Sequence, residues 1–208
     1  MITLDKNTGI NLKKGSSIKL EKDQVELSNI CVGLNWGAIE RNGFLRRKHI
    51  EEVDLDGAVT TYQGSKICET IYYRKLYSRN GAIKHSGDDL TGDLNGDDGL
   101  DNEIITLKLP EIDQRVDSIY IYLNSYKGQD FGDIPYAKLR IYEGTPNFVD
   151  QVLASFNLPA ERKYHGFVSM IMGKFERINQ NWVFTGIGEP IRAKDIPTIA
   201  KKIAASMM

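Results

Sequence analysis

Residues 87–103 read GDDLTGDLNGDDGLDNE, and any fold of this chain must account for the charge of that stretch. It carries seven carboxylates (Asp88, Asp89, Asp93, Asp97, Asp98, Asp101 and Glu103), four glycines and two asparagines, with no Lys or Arg. Like charges packed this closely repel one another, so an ordered loop needs a positive partner. A hard divalent cation is the simplest one. Calcium takes about 6–8 oxygen ligands from carboxylates, carbonyls and water, and the loop offers only such ligands. Zinc and softer metals favour His and Cys, and neither occurs within it. The glycines let the backbone turn sharply and aim carbonyls at an ion. His85, just before the loop, reads as a hydrogen-bonding residue rather than a ligand.

The spacing is not that of an EF-hand. With Asp93, Asn95 and Asp97 at the first, third and fifth ligand positions, Asp98 falls where glycine is required and Ile104 where the closing glutamate is required. The flanks also read as strands, not helices. A second acidic element lies upstream in HIEEVDLDGAVTTY, residues 49–62. On a strand, residues two apart share a face, so Asp54 and Asp56 project together while Val53 and Leu55 face the other way. Taken alone this is a solvated edge strand. Beside an acidic loop it becomes a candidate half of one metal site.

The rest of the chain reads as strand after strand. Ile2–Leu4, Ser17–Leu20, Ile30–Trp36, Ile67–Tyr73, Ala82–His85, Ile104–Leu109, Ser118–Ser125, Ala137–Tyr142, Gln151–Phe156, Gly166–Lys174 and Trp182–Ile187 alternate or are rich in β-branched and aromatic residues. Turn signals recur between them, with Asn80-Gly81 expected to close a hairpin. The pattern predicts an all-β, antiparallel sandwich rather than alternating βα units. The end differs. Asp195 can cap a helix in which Ile196, Ile199, Ala200, Ile203, Ala204 and Met207 form one apolar stripe. The expected organisation is a sandwich over residues 1–190 and an amphipathic helix in 191–208, packed on it or extending from it.

Bulk properties exclude several functions. The net charge of −1 argues against a general nucleic-acid binder, although 41–49 is locally basic (Arg41, Arg46, Arg47, Lys48 and His49). No run is long and apolar enough for a membrane helix. The opening MITLDKNTGINLKKG lacks the apolar core of a signal peptide. Cys31 and Cys68 sit in apolar strands and read as buried free thiols. A cytoplasmic protein is therefore expected. Clustered carboxylates also serve metal-dependent phosphoester hydrolases. Against that reading, His49, His85 and His165 are scattered and neither G-x-S-x-G nor H-E-x-x-H occurs. A non-enzymatic protein is expected.

The succession VDLDGA, then HSGDDLTGDLNGDDGLDNE, resembles the tellurium-resistance TerD family of bacterial stress proteins, with its DLDAS-like strand followed by a GDN-x-TG…GDDE loop. ICVGLNW resembles the family's VGLGWD segment. FGDIPYAKLRIYE at 131–143 resembles its FGQ…A-x-I-R-L segment, and MIMGKFERINQNWVFTGIGE at 170–189 its closing pattern. The resemblance spans residues 1–190 and implies a β-sandwich holding calcium, two ions in all, between the DLD strand and the loop. Asp54 and Asp56 match the DLD acids. Asp88 matches the Asp of GDN, and Asp89 stands where the family often has Asn. Asp97, Asp98, Asp101 and Glu103 fall in the GDDE region, where a GL-containing insertion leaves open which of Asp97-Asp98 or Asp101-Asn102-Glu103 takes that place. These eight acids are the candidate ligands. Gly37 departs from the family's Asp after Trp, and the C-terminal helix has no assigned counterpart. The resemblance also implies a cytoplasmic role in resistance to tellurite and other stresses, with other Ter-type proteins as partners. A cyclic-nucleotide-binding module is the alternative that some relatives suggest, with the basic 41–49 turn meeting the phosphate.

Overall fold

A computed structural model describes residues 9–22, 25–42 and 48–207 of the chain. The expected first strand at Ile2–Leu4, and Arg46 and Arg47 of the basic stretch, lie outside these residues. In chain order the strands are β1 (Ile10–Asn11), β2 (Ser17–Lys19), β3 (Glu21–Lys22), β4 (Val25–Glu26), β5 (Asn29–Trp36), β6 (Ile39–Asn42), β7 (Lys48–Glu51), β8 (Leu55–Gln63), β9 (Lys66–Ile71), β10 (Ile83–His85), β11 (Glu103–Lys108), β12 (Ser118–Ser125), β13 (Tyr136–Thr145), β14 (Phe148–Pro159), β15 (Ser169–Ile178) and β16 (Asn181–Pro190). One helix, α1 (Ile196–Ser206), follows.

Two six-stranded sheets form, with strand orders β1-β14-β13-β5-β11-β10 and β2-β16-β15-β12-β8-β9. Both face one core. Val32, Leu34, Ile105, Leu139 and Ile141 enter it from the first sheet, and Leu55, Val59, Ile119, Ile121, Phe175 and Phe184 from the second. Period-two alternation thus places one face of each strand inward. The pairing is antiparallel except at β1, which runs parallel to β14 with Ile10 opposite Ala154. Asn80-Gly81 does make a turn, with Gly81 N–H bonded to Ser78 O. Its partners are Tyr77 and Lys84, and the expected hairpin between the 67–73 and 82–85 segments does not form. Instead β9 and β10 belong to different sheets.

β8 is no solvated edge strand. It lies between β12 and β9, and its residues Leu55 to Tyr62 are all buried. Its inner face meets the core. Its outer face carries Ala58 and Tyr62, and α1 covers them with Ile196, Ile199 and Ile203. The Asp195 carboxylate caps α1 by accepting from the Thr198 N–H at 2.8 Å, which satisfies a free donor of the first turn. Tyr62 Oη donates to Ala200 O at 3.0 Å. The helix is therefore part of the sandwich's packing, and it closes over the same face of β8 on which Asp56 lies. Cys31 and Cys68 are both unpaired. Cys31 is buried as expected, while Cys68 is only partly so. Among the described residues no helix is long and apolar enough to cross a membrane.

Candidate metal centre

Asp54, Asp56 and Asp88 meet at one end of the sandwich, each offering a carboxylate oxygen within 4.8 Å of the others. Two oxygens bound to one calcium at about 2.4 Å can be at most about 4.8 Å apart, so the three fit one coordination sphere. Asp54 and Asp56 are each 3% exposed. The loop brings in Asp88 from the solvent side, and backbone bonds set its path: Val53 N–H donates to Thr91 O at 2.9 Å and Asp93 N–H to Trp36 O at 2.9 Å.

Among the described residues little neutralises this group. Asn124 lies directly opposite Asp56 in the β12–β8 register and hydrogen-bonds its carboxylate. Lys127 Nζ is 3.8 Å from Asp54 Oδ2. Burial pushes Asp56 up from 3.8 to about 7, and the charges of Asp88, Glu103 and Asp54 add to the rise while the Asn124 bond opposes it. Burial also raises Asp54, against Lys127 and with the repulsion of Asp88 and Asp89. Desolvation raises Asp88 too, against His85 and with Asp89. All three shifts mean that the ionised triad lacks positive charge.

Glu103 stands inside the sandwich, fully buried, and links the two sheets. Its Oε2 accepts from Gly57 N–H of β8 at 2.7 Å, and its Oε1 from Asp89 N–H at 3.4 Å. His85 supports it. His85 Nδ1 accepts from Gly87 N–H at 3.1 Å, so the proton sits on Nε2, which faces Gly57 O at 3.1 Å and Glu103 Oε2 at 3.3 Å. This matches the hydrogen-bonding role expected of His85. Asp89 is not among the three converging acids and uses Oδ1 to accept from Thr91 N–H at 3.0 Å and Gly92 N–H at 2.8 Å.

The other loop acids are not brought to this group. Asp97 pairs with Lys138, and Asp98 Oδ1 accepts from Leu100 N–H at 2.8 Å. Asp101 is clamped by Arg140 through bonds of 2.7 and 3.0 Å. Lys138 and Arg140 alternate with the core residues Leu139 and Ile141 on β13, so they point off the outer face of the first sheet. A Cβ on Gly33 would overlap the Asp101 carboxylate, so only glycine lets it lie there. Asp56 lies on the outer face of the second sheet, with Ala58 and Tyr62. The eight-acid set thus divides. Asp54, Asp56 and Asp88 converge, Asp89 and Glu103 brace them, and Asp97, Asp98 and Asp101 are held elsewhere by local turns and by cations of β13. Within the loop, Glu103 and the Asp101 side chain are built into the fold, while Asp97 and Asp98 stay exposed.

Gly37 also has a physical reason. A Cβ there would fall 2.7 Å from the Tyr136 ring. Tyr136 uses that space to donate its hydroxyl to Asp93 Oδ2 at 2.7 Å, and Asp93 accepts from Asn35 Nδ2 at 3.1 Å and Asn102 Nδ2 at 3.3 Å. Asp93 is therefore a peg that ties the loop to the sheet.

Residues 8–202 match the TerD domain family. The match runs into α1, so most of the helix does have a family counterpart. The tellurium resistance protein TerZ of Serratia marcescens is 31% identical over 202 residues, covering 96% of this chain and 99% of that protein. The stress response protein SCP2 of Bacillus subtilis (strain 168) is 31% identical, covering 86% and 92%. In structure, a homologue of the telluride resistance protein TerD from Streptomyces coelicolor A3(2) superposes with a TM-score of 0.62 at 18% identity, covering 86% of this chain and 98% of that one. The chain belongs to the TerD domain family of tellurium-resistance and stress-response proteins.

Proposed function

We propose that this protein is a non-enzymatic calcium-binding module of a cytoplasmic stress response that includes resistance to tellurite. One calcium ion is held by Asp54, Asp56 and Asp88. The observation that carries this is the converging triad, two of whose members are buried with too little positive charge around them. The donors are all hard oxygens, which suit calcium. The names of the relatives support the stress role, and the two free thiols suit a reducing compartment. Of the two ions implied by the family resemblance, the geometry supports this one.

The bound state requires an ionised Asp56, which in the ion-free protein titrates at about 7. Protons therefore compete with calcium below that pH. Calorimetric titration at pH 6, 7 and 8 should give an affinity that weakens by up to about tenfold per unit below pH 7 and levels off above it. Equal affinity at pH 6 and pH 8 would contradict the assignment of Asp56 as a ligand. A second expectation separates the triad from the rest of the loop. The double variant Asp97→Asn/Asp98→Asn should change calcium affinity by less than about threefold, because neither carboxylate reaches the triad. A sharp loss would move the ion to the exposed half of the loop.

A further inference from the structure

A cavity of about 300 Å³ opens beside the triad, between the Asp56 end of β8 and the first turn of α1. Asp56 and Asn124, opposite each other in register, both line it. Tyr73, Tyr126 and the exposed cations Arg74 and Lys194 line it as well. Three features give it a chemistry. First, calcium needs about 6–8 oxygens, so one oxygen from each of three carboxylates leaves positions for other ligands. Second, three carboxylates and one divalent ion leave a single negative charge, which Lys127 near Asp54 offsets. Third, among the described residues neither Arg74 nor Lys194 has a carboxylate partner. Arg74 instead lies over the Tyr73 ring, 5.3 Å from its centroid. Asp195, the one other acid of the cavity, is committed to the Thr198 N–H and hydroxyl, both at 2.8 Å. The helix end itself offers few donors, since Pro197 has no N–H.

From this arrangement we infer that the cavity binds the phosphate monoester group of a small ligand, with the calcium ion and the cations Arg74 and Lys194 as its partners. The inference rests on the proposed calcium site. A dianionic phosphate meets the open positions of a hard cation through its oxygens, and the planar guanidinium of Arg74 can grip two of them. The tyrosines supply an amphipathic wall for the rest of the ligand.

Phenyl phosphate is a suitable probe, titrated calorimetrically into the full chain with and without saturating calcium. Binding is expected only with calcium present, and phenyl phosphate should in turn tighten calcium by at least about fivefold, because the coupling is reciprocal. The variant Arg74→Ala/Lys194→Ala should abolish the coupling and leave calcium binding in plain buffer unchanged. Vesicles of phosphatidic acid, compared with phosphatidylcholine alone, form a second arm. Calcium-dependent sedimentation with phosphatidic acid that is lost in the variant assigns the phosphate to a lipid headgroup, and its absence alongside phenyl phosphate binding assigns it to a soluble ligand. Calcium binding without any response to either phosphate overturns the inference and leaves the calcium site standing. No calcium binding at all removes the site first. Coupling that persists in the double variant also overturns it.

Discussion

Asp56→Asn should raise the melting temperature of the ion-free protein at pH 8 and at the same time abolish its stabilisation by calcium. Removing a native carboxylate usually costs stability, so the two opposite signs are diagnostic. In the folded chain Asp56 titrates at about 7, against an ordinary 3.8, because ionising it means burying charge beside Asp88, Glu103 and Asp54. An acid raised on folding stabilises the folded form most when protonated. Its contribution is present below about pH 4 and is lost as pH rises through about 7, where the unfolded chain has already released the proton. At pH 8 the full penalty applies, a few kcal/mol by the size of the shift. Asparagine lifts it, keeps an oxygen for Asn124, and should gain about 5–10 °C in a domain of this size. At pH 4 the two proteins should melt together. Differential scanning calorimetry in chelator, then with excess calcium, reads both effects. A variant that melts below the wild type at pH 8 in chelator would mean that Asp56 carries no such penalty.

The second large effect is expected at Gly57. Its missing side chain lets two groups from the opposite sheet approach β8: a Cβ there would sit 2.5 Å from both Glu103 Oε2 and Leu34 Cδ1. Gly57→Ala must push Glu103 off the Gly57 N–H and disturb Leu34, which is fully buried. Overpacking of this kind costs about 1–3 kcal/mol, and a buried carboxylate left short of a donor costs about as much again or more. A drop of roughly 10 °C in melting temperature is expected. Calcium affinity should fall as well, because Glu103 also holds the Asp89 N–H and with it the start of the loop. Combining Gly57→Ala with Glu103→Ala should cost clearly less than the sum of the two, since they act on one contact. A Gly57→Ala protein that melts within about 2 °C of the wild type would show that the two sheets do not meet here as described.

How far the site could be read from sequence depends on which interactions are local. Asp54 and Asp56 were legible because strand periodicity alone puts residues two apart on one face. The cap at Asp195 and the apolar stripe of α1 were legible for the same reason. Asn124 was not. Its place opposite Asp56 is set by the β12–β8 register, sixty-eight positions along the chain, and no local pattern marks it. The division of the loop acids was also hidden. Composition shows that the loop needs cations, but not that Lys138 and Arg140 on β13 provide two of them within the chain. The strand series gave the class of fold, whereas the parallel β1–β14 pair and the separation of β9 from β10 depend on tertiary packing that turn signals do not encode. The β8 segment looked like an edge strand because its acids suggested water, when in fact Asp54 and Asp56 are buried and β8 lies between β12 and β9.

The most direct measurement is a calcium titration of chelator-stripped protein at pH 8, read by native mass spectrometry and by the thermal melt together. One calcium bound at the triad should appear in the mass of the folded chain. At a hundredfold excess over its dissociation constant, it should stabilise the fold by about 2.7 kcal/mol, a rise of roughly 5–10 °C that chelator reverses and Asp56→Asn removes. A folded chain that takes up no calcium and melts at the same temperature with and without it would contradict the assignment.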